Sequence, residues 1–153
     1  MILTDTLRHD LRDAVLCWVA TADATGQPNV SPKEIFALTA DDRLVIADIA
    51  SPVTVSNLRQ NPRLCVSLID VFRQKGWKLT GSATLIDRDA PGFGETGAEV
   101  LALAGRDFPV RRLIAMTPDR AVPILAPSYR VFPDRTEANQ IARAHARYGV
   151  RPA

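Results

Sequence analysis

The chain has 153 residues, of which 46% are hydrophobic and 24% charged, the proportions of a globular protein with a real core in one domain. A formal net charge of +2 gives no general case for nucleic acid, and no apolar run approaches the ~20 residues of a membrane span. The opening "MILTDTLRHDLRD" carries both signs of charge and lacks a signal peptide's apolar segment, so a cytoplasmic protein is expected.

In chain order, "TDTLRHDLRDAV" predicts a short amphipathic helix capped by Thr4 or Asp5, with Leu7, Leu11 and Val15 on one face. "LCWVATAD" follows as a strand, "ATGQ" as a turn, and a second strand runs from Pro28 towards Thr39. Cys17 and Cys65 sit in apolar stretches and are expected as buried free thiols. Pro28 and Pro32 each remove a ladder donor, which makes the second strand an edge or a kinked strand with backbone groups free to face a ligand. Ser31 and Lys33 alternate onto one side of it. The plain alternative is an edge strand with a solvated lysine.

"DD" at 41–42 punctuates, and "RLVIADI" is a third strand. "SPVTVSNLRQNP" has helix signals at both ends: Ser51 as cap, Pro52 in the first turn, and Asn61-Pro62 as stop. A helix start presents unpaired N–H groups to an anion, Ser51 and Thr54 lie three apart, Asn57 extends their face, and no acid lies between Asp48 and Asp70. Val55 and Leu58 are expected to face the core. Ser51 acting only as a cap, with Thr54 solvated, is the competing reading. "RLCVSLIDVF" and "WKLTGSATLID" form a hairpin across "RQKG". There Lys75 and Trp77 share a face as a cation beside a flat ring, unless Trp77 is simple core packing.

"GFGETG" at 92–97 is a literal G-x-G-x-x-G. A dinucleotide fingerprint needs a parallel βαβ unit, and Asp87, Asp89 and Glu95 crowd this turn with negative charge; a flexible loop into the helix "AEVLALAG" is expected instead. "RRLIAMTP" and "RAVPILAP" read as a further strand pair. The closing "DRTEANQIARAHARYG" is a helix in which Asp134 and Glu137 have capping-box spacing. The tail from Ala126 onward carries Arg130, Arg135, Arg143, Arg147 and Arg151 against Asp134 and Glu137, as a solvated surface helix or as a cap on a neighbouring subunit through Tyr129 or Arg130. Six or seven strands with few helices predict a mainly β protein, an antiparallel barrel with peripheral helices. No Cys/His cluster has zinc spacing, and His9 and His145 fall on the terminal helices.

Taken together, "LCWVATADATGQPNVSPKE", "LVIADIASPVTVSNLRQNPRLCVSLIDV" and "QKGWKLTGSATLI" resemble the pyridoxamine 5′-phosphate oxidase-like family of FMN-binding split barrels, over roughly residues 14–87. The resemblance implies a six-stranded split barrel over 1–125, with 126–153 as an extension packed on the same domain or on a dimer partner. It implies a cytoplasmic homodimer with two FMN molecules at the subunit interface and a flavin-dependent redox reaction on a small molecule. By the same resemblance Ser51, Thr54 and Asn57 hold the phosphate end. Ser31, Pro32 and Lys33 edge the flavin ring beside the backbone of Ala47 and Asp48. Lys75 and Trp77 come from the same subunit or its partner, and no metal is implied. Many members carry Arg or Lys where Val53 stands, which removes a phosphate partner unless Lys33 or a partner-chain residue replaces it. The C-terminal elements of the vitamin substrate site are not evident, which points to a different substrate. A non-catalytic flavin carrier, electron-transfer or sensing protein, and a split barrel holding haem or a deazaflavin, are the alternatives.

Overall fold

The computed structural model describes residues 3–151. In chain order it comprises α1 (Asp5–Asp13), β1 (Cys17–Ala22), β2 (Pro28–Lys33), β3 (Phe36–Leu38), β4 (Leu44–Asp48), α2 (Pro52–Gln60), β5 (Arg63–Asp70), β6 (Lys75–Asp87), α3 (Phe93–Thr96), α4 (Ala98–Ala104), β7 (Arg112–Leu125), α5 (Ser128–Val131) and α6 (Glu137–Tyr148). The strands form a single antiparallel sheet in the order β2-β1-β5-β6-β7-β4-β3. Its two edge strands, β2 and β3, are consecutive in the chain, with only Glu34 and Ile35 between them. The three Cα–Cα steps from Lys33 to Phe36 span roughly 11 Å at most. The sheet therefore rolls until its edges meet, and the seam at β2/β3 splits the barrel.

The expected barrel is present with seven strands in place of six. The predicted second strand breaks in two at Glu34-Ile35, where the Ile35 carbonyl accepts the Ala47 N–H at 2.9 Å. Conversely, the two strands read in "RRLIAMTP" and "RAVPILAP" are one, β7, which follows β6 through a register shift at Thr80/Gly81.

β4 is buried along its whole length because two cores meet on it. Leu44 and Ile46 point into the barrel with Val19, Val66, Leu79, Ile114 and Met116, and α1 closes one end with Leu7 and Leu11. Val45 and Ala47 face the opposite way, towards Phe93 of α3, Val100 of α4, and Leu113. A strand buried on both faces has to read as a continuous apolar run, and "LVIA" does. Thr4 caps α1 through its side chain, but Val15, expected on the buried face, lies beyond the helix and is exposed.

"GFGETG" is a helical connection and not a flexible loop. Gly92 takes a left-handed conformation ahead of α3, Phe93 is buried, and a Cβ at Gly97 would meet Leu113 Cδ1 at 2.7 Å. Gly97 serves close packing of the α3–α4 junction against β7, and Gly92 serves the left-handed turn ahead of α3. α6 is capped by a box formed by Thr136 and Asn139, where Asp134 and Glu137 were expected to form one. Cys17 is buried and Cys65 half-buried; both are free. Among the described residues no helix is long and apolar enough to cross a membrane, and no group of three or more His, Cys, Asp or Glu is placed to hold a metal ion.

Candidate functional site

Period-two alternation along β2 sends Pro28, Val30 and Pro32 outward and Asn29, Ser31 and Lys33 towards α2. Thr54, fully buried, receives this row: its Oγ1 is 2.9 Å from Ser31 Oγ and accepts from Asn29 Nδ2 at 3.2 Å. One turn further on, Asn57 Nδ2 donates to Thr21 Oγ1 of β1 at 3.1 Å. Val55 and Leu58 complete the buried side of α2. α2 is thus sewn to β2 and β1 by hydroxyl and amide groups, each with a partner, as burial demands.

The junction of β4 and α2 has its own geometry. Asp48, almost wholly buried, accepts the Ser51 N–H on Oδ1 at 3.1 Å, turning the chain out of the strand. Its Oδ2 accepts from Arg112 at 3.2 Å, and Arg112 also grips Asp87 at 2.6 Å. Pro52 then begins the helix without an N–H, and the Ser51 side chain does not cap it. Instead the Ser51 hydroxyl accepts from the ammonium of Lys33. Among the described residues the N–H groups of Val53 and Thr54 have no backbone or side-chain acceptor, and no acid stands in the first turn. Two amide donors at a helix start are a ready cradle for an anion.

Lys33 is only 8% exposed. Burial disfavours its charged form and pulls its pKa below 10.5, while Asp48 and, more weakly, Cys17 oppose that shift. Beside it opens a cavity of about 310 Å³ whose lining includes Pro32, Lys33, Glu34, Ala47, Ser51 and Phe108, with Glu34 its one acid. The cavity has an apolar body and few polar groups, the usual character of a small-molecule pocket. Burial also pushes the Cys17 thiol up to about 12, which leaves it protonated and unreactive.

Eight of the residues singled out from the sequence therefore meet at one place: Ser31, Pro32, Lys33, Ala47, Asp48, Ser51, Thr54 and Asn57. Lys75 and Trp77 do not join them within the protomer. Trp77 Nε1 donates to Asp10 of α1 at 2.7 Å, and Lys75 pairs with Glu137 of α6 at 2.6 Å and lies over the Tyr129 ring. Sequence reasoning missed Asn29 and Thr21, which hold α2 in place, and Phe108, which stands 52% exposed at the cavity rim. Asn29 shares the parity of Ser31 and Lys33 and was open to the same argument. Phe108 comes from a loop with no periodicity to place it.

A family model described as pyridoxamine 5′-phosphate oxidase matches residues 3–124. No curated protein matches the sequence. Among solved structures, the chain is similar to HupZ of Group A Streptococcus at 22% identity and a TM-score of 0.68, covering 80% of this chain and 94% of that one. An FMN-binding protein from Syntrophomonas wolfei subsp. wolfei is 12% identical with a TM-score of 0.68, over 81% and 87%. HutZ, the heme storage protein of Vibrio cholerae, is 21% identical with a TM-score of 0.54, over 82% and 95%. At these identities the likenesses carry the fold alone.

Proposed function

The chain belongs to the pyridoxamine 5′-phosphate oxidase family, and on that premise we propose that it binds FMN at the β2–β4–α2 junction and works as a flavin-dependent oxidoreductase. The observation that carries this reading is the buried ammonium of Lys33, held by the Ser51 hydroxyl in the wall of a cavity that reaches Ser51, the residue just ahead of the α2 helix start.

The residues present fit such a cofactor. The free N–H groups of Val53 and Thr54, with the Ser51 hydroxyl, suit the phosphate end, and the strand backbone at Ala47 and the edge of Pro32 border the space for a flat ring. Val53 leaves one gap, because it is exposed and brings no charge. Thr54 and Asn57 act as positioning residues, since their polar atoms hold β2 and β1. When bound, a flavin supplies the redox chemistry; the protein orients it and tunes it. Lys33 would place positive charge by the ring and favour its anionic reduced form. Lys75 and Trp77 reach such a site only if a partner subunit presents them. In this reading the protein is a homodimer.

A heme storage protein shares the fold, but His9 is an exposed partner of Asp13 on α1 and His145 packs on Phe72. Neither histidine lines the cavity. That placement favours flavin over haem ligated by this chain. The deciding measurement is the visible spectrum of the purified protein, with mass identification of what denaturation releases. A flavin spectrum and saturable FMN uptake that weakens in Lys33→Ala are expected. A Soret band, or FMN affinity indifferent to Lys33→Ala, would overturn the assignment. A protein that binds FMN yet whose flavin accepts electrons from no reductant would be a carrier and not an enzyme.

A further inference from the structure

α2 borders a second cavity, of about 550 Å³, on the flank that turns away from β2. Pro52, Ser56 and Arg59 recur at spacings of four and three, which puts them on one helical face, apart from Thr54 and Asn57. Opposite them stand Arg111 and Arg112 at the entry to β7. Three arginines thus line one concave space, together with the exposed Ser56.

The charges around it are not balanced. Asp48 is the single carboxylate in the lining, and both of its oxygens are engaged, by the Ser51 N–H and by Arg112. Arg112 is held further by Asp87 at 2.6 Å, so it is fixed and largely neutralised. Arg59 and Arg111 form no ion pair among the described residues. Arg111 is nonetheless anchored by its backbone, its N–H donating to the Asp48 carbonyl and its carbonyl accepting from Arg88. Two uncompensated planar forks facing a cavity are suited to the oxygens of a phosphate, which guanidinium groups bind in bidentate fashion.

We propose that this cavity is a second anion site, which takes the phosphate group of a small phosphorylated ligand between Arg59 and Arg111. It adjoins the Lys33 cavity, with which it shares Ile49, Ala50 and Ser51, but Arg59 and Arg111 lie outside that lining and the site does not depend on the flavin reading. The phosphate is that of a free small molecule; the tail of the flavin is the competing occupant, and the test separates the two.

Inorganic pyrophosphate is titrated calorimetrically into the wild-type protein and into Arg59→Ala and Arg111→Ala, with FMN and riboflavin titrated in parallel. The expected result is saturable pyrophosphate binding that weakens about tenfold or more in either variant, as loss of one charge-assisted pair implies. The preference for FMN over riboflavin stays unchanged. Pyrophosphate binding that is absent, or equal in all three proteins, overturns the site. A preference for FMN that collapses in the variants also overturns it, by making the cavity the seat of the flavin's own phosphate. Arg59→Lys and Arg111→Lys retain the charge and lose the fork, so they decide the matter if an alanine variant does not fold. Should FMN not bind at all, the flavin reading fails while the pyrophosphate result stands by itself.

Discussion

At the scale of single residues, Lys33 carries the most consequence. Its folded-state pKa lies below 10.5 because burial outweighs the attraction of Asp48. Between the two values the unfolded chain holds more protons than the folded one, so stability rises with pH across that window. Below it the buried ammonium is a standing cost. We expect the Lys33 side-chain resonance to titrate below the ordinary lysine value in the free protein and to move up when an anion binds beside it. We also expect Lys33→Met to lose the alkaline rise in stability. A Lys33 that titrates at or above 10.5 would contradict the geometry. The alternation of Ser31 and Lys33 was legible because a strand has period two. The inward turn of Thr54 and Asn57 was not. Val55 and Leu58 fix only a narrow apolar stripe, and either flank of α2 could have faced β1 and β2 until the sheet closed on it.

At the scale of elements, the hairpin of β5 and β6 is clamped to α1 by one carboxylate. Asp10 accepts from Trp77 Nε1 at 2.7 Å and from Arg73 at 3.0 Å. Burial works against its charged form, but the indole N–H and the guanidinium prevail and hold its pKa below 3.8. A depressed carboxylate contributes stability that is complete above the unfolded value and is lost as pH falls through the folded one. Asp10→Ala leaves the indole donor without an acceptor and should cost about 1–3 kcal/mol near neutral pH. Urea unfolding should show the gap from wild type closing on acidification; a gap that is constant with pH would mean that packing, and not the charge, makes the clamp. Most elements could be read beforehand from periodicity and caps. Pro118-Asp119-Arg120 has the composition of a turn, and only the 13-residue length of β6 gives β7 a partner long enough to carry it through a register shift. Long-range pairing decided that boundary, and no local signal contains it.

At the scale of the whole molecule, the barrel leaves part of its outer surface bare. The ladder places Trp18 beside Pro32 and Ser67, and Ala20 beside Val30 and Cys65. Trp18 is 42% exposed, Val30 56% and Ile69 45%, which makes a contiguous apolar patch of the kind that marks an interface. The adjoining sheet edge at β2 carries Pro28 and Pro32, whose missing N–H groups discourage edge-to-edge pairing. Association is therefore expected face to face, with the patch turned onto a second copy. Such a contact would run along the rim of the Lys33 cavity, since Pro32 belongs to both, and so would couple assembly to ligand binding. We predict that the wild-type protein is a dimer by light scattering, that Val30→Asp and Trp18→Asp convert it to monomer, and that FMN affinity falls in step. The two substitutions sit on the solvent side of β1 and β2, so each monomer should keep its barrel, verifiable by circular dichroism. A wild-type protein that stays monomeric at high concentration would defeat the prediction. A dimer indifferent to both substitutions would move the interface elsewhere and leave the Lys33 cavity to a single chain.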